Sequence, residues 1–280
     1  MEMSHSGRVR SLGKRVEREL SRVRISPSPP KLEIRIQISA KNMQTVVHKA
    51  SERGYAKHAW LETHHSFSFA SYYNPEKMGF GALRVINDDT IAPAEGFGRH
   101  SHRDMEIITI PLSGVLAHED SIGQSATIKT GEIQVMSAGA GVEHSEFNPS
   151  QTEPVSLLQI WILTRTEGVA PRYAEKPFAL STFQNTFSLV VGPEGSEKRG
   201  ALSIHQDAFL SLGCFDVDKT IEYTFHHQKN GTYFFVIDGA ITVADTVLEH
   251  RDTFGVWDTE KIVLQVKAGA FVLAIEVPML

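Results

Sequence analysis

An all-β fold of two β-barrels is what this sequence predicts, and three observations predict it. From about Gln44 onward, short runs rich in Val, Ile, Phe and Thr are cut by Gly, Asn, Asp and Pro about every ten residues. Those runs fall into two sets, separated by a polar, Pro-containing stretch over 164–176. The chain has 280 residues, 41% of them hydrophobic, enough to fill one large core or two small ones.

The elements follow in order. Residues 1–42 differ in texture from the rest. Val9, Leu12, Val16, Leu20 and Val23 have helical spacing, residues 26–30 (SPSPP) must break such a helix, and Leu32, Ile34, Ile36 and Ile38 alternate as in a strand. Three readings compete: a disordered extension ahead of a start at Met43, an Arg- and Ser-rich targeting peptide, or an arm packed on the body. The first is taken here. The first set of strands is expected over 82–86, 106–112, 126–129, 133–136 and 157–163. The second is expected over 188–191, 201–205, 232–237, 240–244, 262–266 and 271–277. The expected division is an extension over 1–42, a first barrel over 43–170 and a second over 171–280. Gly114 and Gly239 each stand at a strand-turn-strand junction, so the barrels could descend from one duplicated unit.

Chemistry concentrates in two short motifs of the first set. His100-Ser101-His102 and His144-Ser145-Glu146 each place two metal-ligand types at i and i+2. On a strand such residues share a face. Two such strands side by side would offer three imidazoles and one carboxylate to a single ion. That donor set suits divalent Fe, Cu, Ni, Mn or Zn and leaves coordination positions open on a metal that prefers five or six. The 139–141 run (GAG) is no phosphate loop, because the Lys-Ser/Thr of that motif is missing.

In context, the first motif reads GFGRHSHRDME with a later turn Gly114, and the second reads GEIQVMSAGAGVEHSEFN. Both resemble the paired motifs of the cupin superfamily. Ser137 stands where Pro is usual, and two extra residues separate Gly139 from His144. With those departures, GFGRHSHRDMEIIT, MSAGAGVEHSE and LLQIWI are similar to the pirin family, a family of bicupins, and most of all to its bacterial quercetin-cleaving members. The resemblance covers about 43–280 and is strongest over 53–163. It implies two jelly-roll barrels, with one divalent transition metal held by His100, His102, His144 and Glu146 in the first. Fe(II) is favoured by resemblance, although ligand affinity alone would prefer copper. Glu106 resembles a ligand of other cupins; here it is expected to support a ligand or to pack. His118, beside Glu119 and Asp120, reads as a solvated turn. His226, His227 and Thr232 stand where the second barrel would need its own motif, and no second site is expected there.

The resemblance implies a metal-dependent flavonol 2,3-dioxygenase. Glu146 would serve as catalytic base, O2 as co-substrate, and ring opening would release CO and leave a depside. Phe67, Phe69, Phe97, Met136 and Phe147 are candidate walls for a flat ring. A competing reading is an iron- or redox-sensing protein acting through a protein partner, and a third is a bicupin that binds metal without turnover. A roomy apolar pocket beside open metal positions would favour the enzyme. The net charge of −5 conceals an asymmetry. Residues 1–43 hold ten Lys/Arg against four Asp/Glu, which leaves −11 for the remainder. An acidic body argues against direct nucleic-acid binding. No apolar run approaches the roughly 20 residues that span a bilayer. The single Cys214 permits no internal disulfide. A cytoplasmic monomer is the expectation.

Overall fold

The structure is a computed structural model and describes residues 43–280; the expectations for residues 1–42 lie outside the described residues. Among the described residues helix is limited to three short 3-10 turns, at Ala50–Glu52, Leu180–Phe183 and Ser196–Arg199. No helix among the described residues is long and apolar enough to cross a membrane. Everything else regular is strand, and all eleven expected runs lie on or within a residue of one. The all-β, two-barrel expectation holds.

Each barrel pairs a seven-stranded sheet with a four-stranded one. In the first barrel the large sheet runs, edge to edge, Arg172–Pro177, Glu132–Ser137, Met105–Ser113, Val155–Leu163, Leu83–Ile91, Leu61–His65 and Gly54–Lys57. Its small sheet runs Gly96–His102, Val142–Phe147, Val115–Asp120 and Ser125–Lys129. In the second barrel the central strand Asn230–Asp238 lies between Thr253–Trp257 and Phe271–Pro278.

Sheet membership crosses the division expected at residues 43 and 170. The strand Gln44–His48 pairs with Thr253–Trp257 of the second barrel, Val46 opposite Gly255. The strand Arg172–Pro177 pairs with Glu132–Ser137 of the first, Ala174 opposite Val135. Each barrel therefore takes an edge strand from the far side of the expected boundary. Hydrogen bonding to a sheet edge is set by where the chain arrives in space, which local pattern does not encode.

One apolar core joins the two large sheets. Ile108, Val135, Leu158 and Ile160 of the first barrel cluster with Val190, Leu210, Tyr233, Phe235, Leu273 and Ile275 of the second. The alternate residues of the same strands face the barrel interiors. Central strands are thus buried on both faces, which is why Met105–Ser113 and Asn230–Asp238 read as nearly continuous apolar runs. The interior of the second barrel is filled by Phe215, Phe234, Val236, Phe254, Ile262, Leu264 and Val272. The first barrel holds two smaller apolar clusters, one around Leu61, Ile91, Leu116 and Leu157, the other around Ile107, Met136 and Val142.

Candidate metal centre

The two histidine motifs lie on neighbouring antiparallel strands of the small sheet. His144 stands opposite His100, and Val142 opposite His102. The i, i+2 spacing turns His100 and His102 to one side, and the ring centroids of His100, His102 and His144 are 4.4 to 4.8 Å apart. The register then shifts, so that Glu146 is opposite Phe97, and Gly98 and Arg99 together face Ser145. This β-bulge has a local consequence. It lets the Gly98 carbonyl accept a hydrogen bond from His100 Nδ1 at 2.8 Å, which leaves Nε2 as the free lone pair. Gly96 is required next to it, because a Cβ there would run into the Glu146 carbonyl and the Phe147 backbone.

Ligand atoms of His100, His102 and His144 all lie within 4.8 Å of one another. A second, overlapping group joins His118, His144 and Glu146 within the same limit. His144 is common to both. Glu146 therefore reaches the imidazole cluster through His144, in a group that also holds His118. These are the groups of this kind among the described residues, and both belong to the first barrel.

His118 corrects the sequence reading. It lies in the strand Val115–Asp120 and is buried, as is Asp120. Its Nε2 donates to Asp120 Oδ2 at 3.1 Å, and Asp120 Oδ1 accepts from the backbone of Ile122 and Gln124. With that tautomer, His118 Nδ1 is left to accept from His144 Nδ1 at 3.4 Å. His144 Nε2 then carries a lone pair, is buried and has no hydrogen-bond partner. The signal was present, since His118 and Asp120 share the i, i+2 spacing of the other motifs. The flanking acidic residues made it read as a turn.

Glu146 is fully enclosed. Gln159 Nε2 donates to its Oε2 at 2.7 Å, and Trp161 Nε1 donates to Gln159 Oε1 at 3.0 Å. Its Oε1 has no partner. Burial pushes the Glu146 carboxyl up to about 7, while Gln159, Gln134 and Thr109 pull the other way. Burial also lowers His102 to about 4 and His144 to about 2, with the neighbouring imidazoles adding to both shifts. His102 and His144 are thus neutral near pH 7, the form a metal requires. Neutral imidazoles, plus two buried acceptors without partners at His144 Nε2 and Glu146 Oε1, fit a bound divalent cation. Unmet buried acceptors are otherwise destabilising by about 1–3 kcal/mol each.

Glu106 does not take part. Asp104, at φ 48°, breaks the strand after His102, and Glu106 belongs to the large sheet. It shares a face with Ile108 and Ile110 of the core between the barrels, where Ser137 Oγ donates to it at 2.6 Å. Its neighbours there include His205 and Arg172, and burial raises its carboxyl above the usual range. It packs between the barrels and holds no ligand in place. In the second barrel, Glu276 is buried and accepts from His226 Nδ1 at 2.8 Å and from the backbones of His226 and His227. Those residues form a structural clamp.

A cavity of about 550 Å³ opens beside His100, His102 and Glu146. Its aromatic walls are Trp60, Phe69, Phe97 and Trp161. Phe69 and Phe97 were among the five expected wall residues. Phe67 instead belongs to the core between the barrels, Met136 to an apolar cluster inside the first, and Phe147 is exposed. His65 also lines the cavity, its Nδ1 2.7 Å from Asn87 Oδ1.

Comparisons with known proteins agree with this fold. The family model described as Pirin matches residues 46–162, and that described as the quercetinase C-terminal cupin domain matches 189–277. A quercetin 2,3-dioxygenase of Escherichia coli K12 is 40% identical over 82% of this chain and 97% of its own length. The crystal structure of YhhW from Escherichia coli matches with a TM-score of 0.80 at 38% identity, covering 85% of this chain and 99% of that one. The same bacterial pirin in complex with nickel(II) matches with a TM-score of 0.79 at 39% identity, over 85% and 100% of the two chains.

Proposed function

The chain belongs to the pirin family, and on that premise we propose that it is a metal-dependent, quercetin 2,3-dioxygenase-like oxygenase. The observation that carries this reading is the 550 Å³ aromatic-walled cavity opening onto the histidine cluster. A sensor working through a protein partner has no need of a chamber that size. Cavities in this range hold small-molecule ligands, and Trp60, Phe69, Phe97 and Trp161 suit a flat ring system.

In this reading His100, His102, His144 and Glu146 hold one divalent ion. Fe(II) is favoured, and Cu, Ni, Mn or Zn are competent donors' partners as well. When bound, the ion supplies Lewis acidity to the 3-hydroxyl and 4-carbonyl edge of a flavonol and an electron path to O2. The remaining work falls to the side chains. Glu146 takes the 3-hydroxyl proton through Oε1, the oxygen without a protein partner, once that oxygen is free of the ion. Gln159, itself held by Trp161, fixes the other oxygen and so the direction of the base. The overall conversion consumes O2, opens the central ring and releases CO with a depside. We place it in the cytoplasm, acting as a monomer on a small aromatic substrate, without nucleic acid or membrane.

The test is quercetin consumption in air by protein reconstituted anaerobically with Fe(II), Cu(II), Ni(II) or Mn(II). Loss of flavonol absorbance should require metal and fall by at least about a hundredfold in Glu146→Ala. Absence of turnover with every correctly bound ion would overturn the flavonol-cleavage reading.

A further inference from the structure

The cavity holds a second carboxyl that the chemistry above leaves unused. Asp89 lies in the strand Leu83–Ile91 of the large sheet, opposite Thr63 on one side and Leu157 on the other. It is only 2% exposed, yet it lines the same cavity as His100, His102 and Glu146. Its Oδ1 is buried and has no hydrogen-bond partner. No Lys or Arg lines the cavity, so no basic side chain offsets the burial. Thr63 hydrogen-bonds the carboxyl, but an oxygen kept in such a place without a partner is destabilising unless something that enters the cavity satisfies it.

The surroundings say what enters. The metal cluster is on the small sheet and Asp89 is on the large one, so the cavity lies between two differently equipped walls. Beside Asp89, the inward-facing Thr63, His65, Asn87 and Gln159 form a polar seam across three adjacent strands. His65 and Asn87 satisfy each other, and Gln159 is committed to Glu146 and Trp161. Asp89 is the member of the seam with a free oxygen. A phenolic hydroxyl can both donate and accept, so it matches a carboxyl in either protonation state.

We propose that Asp89 is a specificity-determining residue that hydrogen-bonds a ring hydroxyl of the ligand other than the one directed to the metal cluster. The ligand class is then a polyhydroxylated aromatic rather than any flat ring with a single chelating edge. This rests on the flavonol reading for the choice of probes, though not on turnover.

The experiment is anaerobic titration of the metal-loaded protein with quercetin and with 3-hydroxyflavone, which keeps the 3-hydroxyl and 4-carbonyl and lacks the other hydroxyls. Quenching of Trp60 and Trp161, both in the cavity wall, reports binding. Wild type should favour quercetin by about 10- to 100-fold. Asp89→Ala should bring the two affinities within about threefold of each other, and Asp89→Asn, which keeps shape and one acceptor, should restore part of the preference. A ratio of affinities within one variant cancels any general loosening of the site, so a merely structural role would leave it unchanged. Equal preference in wild type and Asp89→Ala, or failure of wild type to bind either compound, overturns the inference. Asp89-dependent discrimination without consumption in air sustains it while refuting flavonol cleavage.

Discussion

The two barrels share a sheet plan of seven strands and four, and differ in what fills them. The second is packed with one apolar cluster that includes Phe215, Phe234 and Phe254. The first has its apolar content split in two, and between the pieces stand His118, His144, Glu146, Asn87, Asp89, Thr109, Gln134 and Gln159, all buried. The second barrel gains stability from its interior by burial of apolar surface. The first forgoes part of that gain to keep polar groups pointing inward, and leans on the shared core between the large sheets. One fold thus serves as packed scaffold and as cavity-bearing barrel, according to which residues occupy the inward positions.

The strongest way to break this comparison is at the metal cluster. His100→Ala with His144→Ala should abolish stoichiometric metal uptake, measured by elemental analysis, while far-UV circular dichroism stays unchanged. His226→Ala in the second barrel should leave uptake intact. Retained metal in the double variant would refute the ligand assignment.

Packing should respond in the opposite sense. Phe234→Ala empties a fully buried site and should lower unfolding free energy by about 3–5 kcal/mol. Trp161→Ala should lower it by no more than about 2 kcal/mol, because Trp161 already borders the cavity. Urea unfolding of both variants decides. Equal losses would mean that the first barrel is packed as tightly as the second.

Asp89 gives the comparison a pH signature. Burial raises its carboxyl from 3.8 to about 7, opposed by Thr63 and reinforced by Asp88 and Glu146. A carboxyl raised on folding contributes stability that is fully present below its unfolded pKa and is lost as pH rises through the folded value. Metal-free Asp89→Asn should therefore gain on wild type between pH 4 and 8, by on the order of a few kcal/mol at the upper end. Thermal melts across that range would show it, and a pH-independent difference would contradict it. Glu106→Gln should do least. It keeps an acceptor for Ser137 and lies outside the cavity, so metal affinity should stay within about twofold and stability within about 1 kcal/mol.

Much of this was legible in the chain itself. Side chains alternate across a strand by local geometry alone, so HSH and HSE had to present their ligand types in pairs. Turn residues at regular spacing were enough to call for two barrels. Glu106 shows where such reasoning stops. Its likeness to a ligand of other cupins tied it to the motif, but the turn at Asp104 moves the chain to the other sheet. His118 and Asp89 show the same limit from the other side, as polar residues inside strands whose neighbours gave no sign of a cavity.

What the sequence determined by itself is the strand pattern, the two-barrel plan and the residue types available to a metal. What only the tertiary structure decided is which face of each strand looks into a barrel, which strand crosses to the other barrel's edge, and which polar groups meet. The reason is that the central strands are buried on both faces. Alternation then says that two residues share a side, and only packing against a particular neighbour says whether that side is a core or a cavity wall.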